Sequence, residues 1–281
     1  MCVVKSKINL TLDKAKIFNL LVIPIFILLL VSCQKVVYPD LNSASPRVVI
    51  EGNITNLPGP YYVKISKTIN FDETNIFPKV SGAKVELSDT FGRIDTLHET
   101  GQGIYSTGAS YQGIPGRTYT LTVVVDGIEY KAVSTMPEPV KIDSLRIVME
   151  NGFRQRRKEI EVTLKDPEGI QNYYRYSEII NGYRSNNYSL ASDRYFDGKT
   201  YSRNVNVNDS IALKTGDSIV MELQSIDKAT YDYFRTLRFV SGGGGLGFLS
   251  ASPANPITNF NNGAMGYFSA YSIKSKTIKV P

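Results

Sequence analysis

From Arg47 onward, apolar and polar residues alternate with a period of two, and this constrains the fold more than any other feature. Val48 and Ile50 share a face, as do Tyr61, Val63 and Ile65, then Ala83, Val85 and Leu87, then Tyr119, Leu121, Val123 and Val125. Successive side chains of an extended chain point to opposite faces, so each run reads as a half-buried strand. Turn residues punctuate the runs: Pro58-Gly59-Pro60, Asp89 to Gly92, and Pro115-Gly116. Asp126-Gly127 is the most informative, because a two-residue type I′ turn needs two positive φ angles. It predicts a hairpin of strands 118–125 and 128–135. Seven or so short strands in residues 47–136 predict a β-sandwich. Met136-Pro137-Glu138-Pro139 marks the expected domain boundary.

Residues 137–281 predict a second, mainly β domain. Strands are expected at 142–149, 159–165, 217–225, 266–273 and 276–280, with Asp166-Pro167-Glu168-Gly169 as a turn. One helix is expected near 228–240. Asp227 can cap it, and Ala229, Tyr233, Leu237 and Val240 recur at helical spacing to pack on a sheet. The fold class is therefore all-β: an N-terminal β-sandwich, then a second β-rich domain with one short helix.

The first 46 residues follow different rules. Lys5, Lys7, Lys14 and Lys16 precede an apolar run from Ile17 to Val31, which ends in Leu30-Val31-Ser32-Cys33. The run has the length of a signal peptide and is short for a spanning helix. The tetrad resembles a bacterial lipoprotein processing site. Residues 1–32 are thus expected to be removed, with acylation of Cys33 anchoring the chain to a membrane. Residues 33–46, rich in Pro, Ser and Asn, form a tether. Loss of the leader halves the formal net charge of +6 and removes Cys2, one of only two cysteines. Cysteine nucleophiles and zinc ribbons are then excluded, and a single histidine excludes a multi-His metal site. Nothing in the charge pattern calls for nucleic acid: the only sustained basic run is Arg154 to Lys158, which reads as the flank of a hairpin.

No catalytic motif stands out, so no enzymatic activity is expected. A Ser/His/Asp triad could use only His98. Gly242, Gly244 and Gly247 have dinucleotide-turn spacing but follow a helix rather than a strand, so they read as a helix stop and loop. Asp166, Glu168, Asp193, Asp197, Asp209, Asp217, Asp227 and Asp232 are scattered, and none lies in an alternating calcium-loop pattern. No cofactor and no metal is expected. The stretch with recognition chemistry lies within a Tyr-rich segment: Tyr183, Arg184, Asn186, Asn187 and Tyr188 combine rigid aromatic bodies with hydrogen-bonding groups. Their competing reading is a polar loop beside a strand that carries Tyr174 and Tyr176.

Several stretches in order resemble a family of Bacteroidota lipoproteins known only as a domain of unknown function. They are Val48 to Thr55, Val80 to Leu87, Gly103-Ile104-Tyr105, Gly116 to Leu121, Tyr231 to Phe234, and Gly266 to Tyr271. Residues 47–136 also resemble the immunoglobulin-like and carboxypeptidase-regulatory-like sandwiches of envelope proteins, and family members are often encoded beside TonB-dependent outer-membrane receptors. The resemblance implies a lipid-anchored outer-membrane protein that acts as an accessory to uptake, with such a receptor as partner and no catalytic residue. It leaves the periplasmic or outward face open: Gln34-Lys35 fits part of the surface-export pattern, but Val36 and Val37 occupy its acidic places. A structural or adhesive envelope protein and a glycan-active enzyme are the alternatives; the latter requires two facing carboxylates.

Overall fold

The computed structural model describes residues 45–70, 73–151, 156–205, 213–241 and 255–281. The expected leader, Cys33, nearly all of the tether, the glycine run at 242–247, Asp209 and part of the 154–158 basic run lie outside the described residues.

The alternating runs of the first half become β1 (Val48–Thr55), β2 (Tyr62–Lys67), β3 (Lys84–Asp89), β4 (Ile94–Gly101), β5 (Ile104–Ser106), β6 (Thr118–Val125) and β7 (Ile128–Thr135). Val63, Ile65, Val85, Leu87, Tyr119, Leu121, Val123 and Val125 are buried as the alternation requires. β6 and β7 form the expected hairpin, with Val125 opposite Ile128. Asp126 and Gly127 both take positive φ, 50° and 79°. Gly127 supplies what a residue with a Cβ adopts only at a cost.

The second half contributes β8 (Ile142–Asn151), β9 (Arg156–Lys165), β10 (Tyr173–Ile180), β11 (Tyr183–Arg184), β12 (Ser189–Ser192), β13 (Thr200–Val205), β14 (Ser218–Ile226), α1 (Lys228–Val240) and β15 (Met265–Lys279). The helix starts where its cap predicts: the Asp227 side chain accepts the Thr230 N–H at 2.8 Å. Its packing face matches the expected one at Tyr233, with Ala229 and Leu237 half-buried, but is rotated toward Phe234. Thr230, Tyr233 and Phe234 are buried, whereas Val240 is half exposed. The two expected C-terminal strands are one strand of 15 residues. The polar stretch Ser272 to Lys276 reads as a break, but it stays extended because β14 supplies its hydrogen bonds.

Two sheets result. One follows the order β11-β10-β14-β15-β1-β2-β5-β4-β3-β6-β7, with β12 also on β10; the other is β13-β9-β8. The long path folds over on itself in the first half. Thus Gly52 of β1 faces Leu121 of β6, and the Ser134 hydroxyl of β7 accepts the Ala270 N–H of β15 at 2.8 Å. This closes a first core, from Val48 to Met136 plus Phe260, Ala264, Phe268 and Ala270. A second core lies where β10, β14 and β15 face the smaller sheet, and it holds Ile160, Val162, Leu164, Tyr174, Tyr176, Met221 and Leu223.

Strand β15 serves both cores. Its first half runs parallel to β1, with Gly52 beside Phe268, and its second half runs antiparallel to β14, with Ile219 beside Ile278. The segment at 137–139 separates the two cores in sequence, yet Ala44–Pro281 makes one compact unit. The parallel pairing depends on Gly266, with φ at +91°, where an added Cβ would sit 2.0 Å from the Ile50 carbonyl oxygen.

Candidate binding surface

Register decides which side chains share the outer face of the sheet. Tyr173 to Ile180 lies against Ile226 to Ile219, and Tyr267 and Tyr271 sit beside Glu51 and Thr55 of β1. Cross-strand partners project to the same side. While Tyr174, Tyr176, Met221, Leu223 and Phe268 turn into the cores, the alternate positions line the opposite face: Arg175 and Ser177 on β10, Glu222 and Gln224 on β14, Tyr267 and Tyr271 on β15, Asn53 on β1.

Helix α1 lies over this face. The Thr230 hydroxyl donates to the Ser269 hydroxyl at 3.0 Å. The Phe234 ring packs 4.9 Å from Tyr267, and the Arg175 guanidinium lies 4.3 Å from the Phe234 ring and 5.5 Å from that of Tyr271. Tyr233 stands 4.5 Å from Tyr267, and the Asn53 amide donates to the Tyr267 hydroxyl at 3.2 Å. Burial pushes the Tyr267 and Tyr271 hydroxyls above the usual tyrosine range, so both stay neutral and able to donate.

A polar chain continues outward from Arg175. Its Nε donates to the Gln224 side-chain oxygen at 2.6 Å, and the Gln224 amide donates to Glu222 at 3.2 Å. Glu222 also accepts from Ser177 and takes a two-pronged contact from Arg184 at 2.7 and 2.8 Å. Burial opposes ionisation of Glu222, but the Arg184 guanidinium outweighs it and holds the carboxyl below its ordinary range. Glu222 is 7% exposed.

The five residues singled out in the sequence divide at this network. Arg184 is committed to Glu222, and the Tyr188 ring packs edge-on against Phe234 while its hydroxyl donates to the Phe234 carbonyl at 3.0 Å. Tyr183, Asn186 and Asn187 are exposed, and Tyr183, paired with Ile180, projects to the opposite side of the sheet from Arg184. Tyr183 sits just after Asn181-Gly182, both at positive φ, which make the β10–β11 hairpin turn. Tyr174 and Tyr176 are core residues. Sequence reasoning missed Arg175, Glu222, Gln224, Phe234 and Tyr271. The available signal was the polar half of the β14 alternation, Met221-Glu222-Leu223-Gln224. Three stretches that carry the family resemblance, ending in Thr55, Phe234 and Tyr271, meet here.

Elsewhere, His98 lies on the exposed side of β4. A shallow concavity of about 330 Å³ on the outer face of β3, β6 and β7 is lined by Lys84, Glu86, Glu129 and Lys131 among others. Its charges already answer one another, Lys84 with Glu86 and Lys131 with Glu129. Among the described residues, no helix is long and apolar enough to cross a membrane.

A family model described as "Domain of unknown function (DUF4249)" matches residues 34–277. No curated protein matches. Among solved structures, a chain from a crystal form of a cytokine receptor complex aligns over 83% of this chain and 95% of its own, at 9% identity and a TM-score of 0.24.

Proposed function

The chain belongs to the DUF4249 family, and on that footing we propose that it is a non-catalytic, lipid-anchored envelope protein that binds a partner through the exposed surface beside α1. Cys33 carries the anchor and the β unit is displayed on the tether that follows. The partner is a TonB-dependent outer-membrane receptor, as the family resemblance implies.

One observation carries the binding role. Exposed Asn186 and Asn187 lie in the chain between Arg184 and Tyr188, and exposed Tyr183 stands at the edge of the same hairpin, beside a pre-ordered set of Arg184, Tyr188, Phe234 and Arg175 whose side chains are fixed by ring contacts and hydrogen bonds. Fixed aromatic and guanidinium groups beside adaptable amides make a recognition surface with little ordering cost. The Ser177 hydroxyl donates to the Glu222 carboxylate at 3.1 Å, but both residues are buried and Arg184 occupies the carboxylate, which favours binding over catalysis.

Purification of the native lipoprotein in mild detergent, followed by identification of co-purifying proteins, is expected to recover a TonB-dependent receptor. The triple substitution of Tyr183, Asn186 and Asn187 by Ala is expected to abolish that recovery while leaving far-UV circular dichroism unchanged. Recovery of no receptor, or undiminished recovery by the triple variant, contradicts the reading.

A further inference from the structure

On the far side of β10, the fold gathers carboxylates that are scattered in the sequence. Asp166 follows β9, Asp193 follows β12, and Asp197 precedes β13. One oxygen from each lies within 4.8 Å of the others. Asp166 is 1% and Asp193 2% exposed, while Asp197 is exposed. Among the described residues, no Lys or Arg forms an ion pair with any of the three.

The surrounding loops hold the carboxylates in place. Tyr174 donates its hydroxyl to Asp166, and the Gly198 N–H donates to the other Asp166 oxygen at 3.2 Å. The Asn172 N–H reaches Asp193 at 2.6 Å, and the Gly169 N–H reaches Asp197 at 2.8 Å. Each carboxylate offers about four lone-pair directions, so most acceptor capacity is left over.

A second observation points to a ligand. The Asn172 side-chain oxygen is buried without a hydrogen-bond partner, in a residue 8% exposed. Its direction follows from register. Tyr173 pairs with Ser192 and Tyr174 with Ala191, and the Asp193 N–H donates to the Asn172 carbonyl at 3.1 Å, which extends this ladder by one pair. Asn172 and Asp193 therefore project to the side that also carries Tyr174, whose hydroxyl touches Asp166. A buried amide oxygen without a donor costs free energy unless something electropositive meets it.

We propose that Asp166, Asp193, Asp197 and the Asn172 side-chain oxygen bind a calcium ion. The donor set is all oxygen, with no imidazole or thiolate, which selects a hard cation over a transition metal. The four donors come from separate segments, the turn after β9, the lead-in to β10 and the β12–β13 connection, and so broad a donor set suits the larger, more variable coordination shell of calcium better than the strict octahedron of magnesium. Burial of Asp166 and Asp193 rules against a glycan straddling this carboxylate group, because a saccharide could not reach two of its three members. The ion would tie the β9–β10 turn to the β12–β13 connection. The site is independent of the partner-binding face, which lies across the sheet.

The test uses the full chain in mild detergent, calcium chloride and terbium. Calcium is expected to raise the melting temperature and to displace terbium whose luminescence is excited through tyrosine, since Tyr174 touches Asp166. Asp197→Asn keeps an acceptor for Gly169 on an exposed side chain, so folding should survive. It should weaken calcium binding by at least about tenfold through loss of charge. Asp126→Asn, on the β6–β7 turn, is expected to bind as the parent does. No response of the parent to millimolar calcium overturns the site, as does a response unchanged by Asp197→Asn or equally lost in Asp126→Asn. A stronger response to magnesium than to calcium overturns the choice of ion.

Discussion

The two cores treat buried charge differently. In the first, the Asp89 carboxylate is buried but answered: Arg117 pairs with it at 2.8 Å and the Phe91 and Arg93 N–H groups donate to it. Tyr105 and Tyr119 likewise send their hydroxyls to backbone groups. Around the second core, Glu178 is 1% exposed with one carboxyl oxygen unpartnered, Asn172 has an unpartnered oxygen, and among the described residues Asp166 is in no ion pair. Unsatisfied buried polar groups cost stability, so a chain retains them where they serve binding or switching. The first half also has unpartnered groups, the Tyr111 hydroxyl and one Asp95 oxygen, so the difference lies in the clustering of carboxylates after residue 139.

The sharpest way to break this comparison is at the strand that both cores share. Gly266→Ala forces a Cβ into the Ile50 carbonyl and should destabilise by about 4 kcal/mol or more, read from urea unfolding. Gly82→Ala, also at positive φ but facing open space, should cost only about 1 kcal/mol. Equal losses would show that the approach of β15 to β1 is not what constrains Gly266.

Next in size, Leu121→Ala in the first core and Met221→Ala in the second should each cost about 3 kcal/mol. Because β15 crosses both, each is expected to shift one cooperative unfolding transition. A thermogram with two transitions, each moved by only one variant, would mean that the cores unfold separately.

The smallest effects separate the two buried glutamates by the sign of their pH dependence. The Glu222 carboxyl is held low by Arg184, so its contribution to stability is present above the ordinary carboxylate range and is lost as pH falls through the folded value. Arg184→Ala should cost about 1–3 kcal/mol at neutral pH and progressively less in acid. Burial raises the Glu178 carboxyl, against a weaker opposing contact from Ser185. Its ionised form therefore burdens the fold as pH rises through that raised value, and the burden is absent below the ordinary range. Glu178→Gln should stabilise by about 1 kcal/mol at pH 8 and change nothing at pH 3. Chemical denaturation across that range checks both, and slopes of the same sign would refute the contrast.

Much of the scaffold was legible in short windows. Period-two runs place the first-half strands, Asp126-Gly127 fixes a hairpin, and Asp227 fixes the helix start to the residue. Each is decided by groups within a few residues of one another, so local geometry suffices. Less of the site was legible. Tyr183, Arg184, Asn186, Asn187 and Tyr188 stand out by composition, but their neighbours Arg175, Glu222, Phe234 and Tyr271 are spread over 97 residues of chain. The pattern placed Tyr233 on the helix face correctly but chose Val240 where Phe234 meets Arg175 and Tyr267.

By itself, the sequence determined an all-β chain with one helix, since side-chain alternation and turn chemistry act over a few bonds. Only the tertiary structure decided that β15 joins both cores and that Asp166, Asp193 and Asp197 meet. It also decided which polar residues lie under α1. The physical reason is common to all three: pairing register between distant strands sets which side chains share a face, and no local preference encodes a partner more than 200 residues away, as Ile50 is from Gly266.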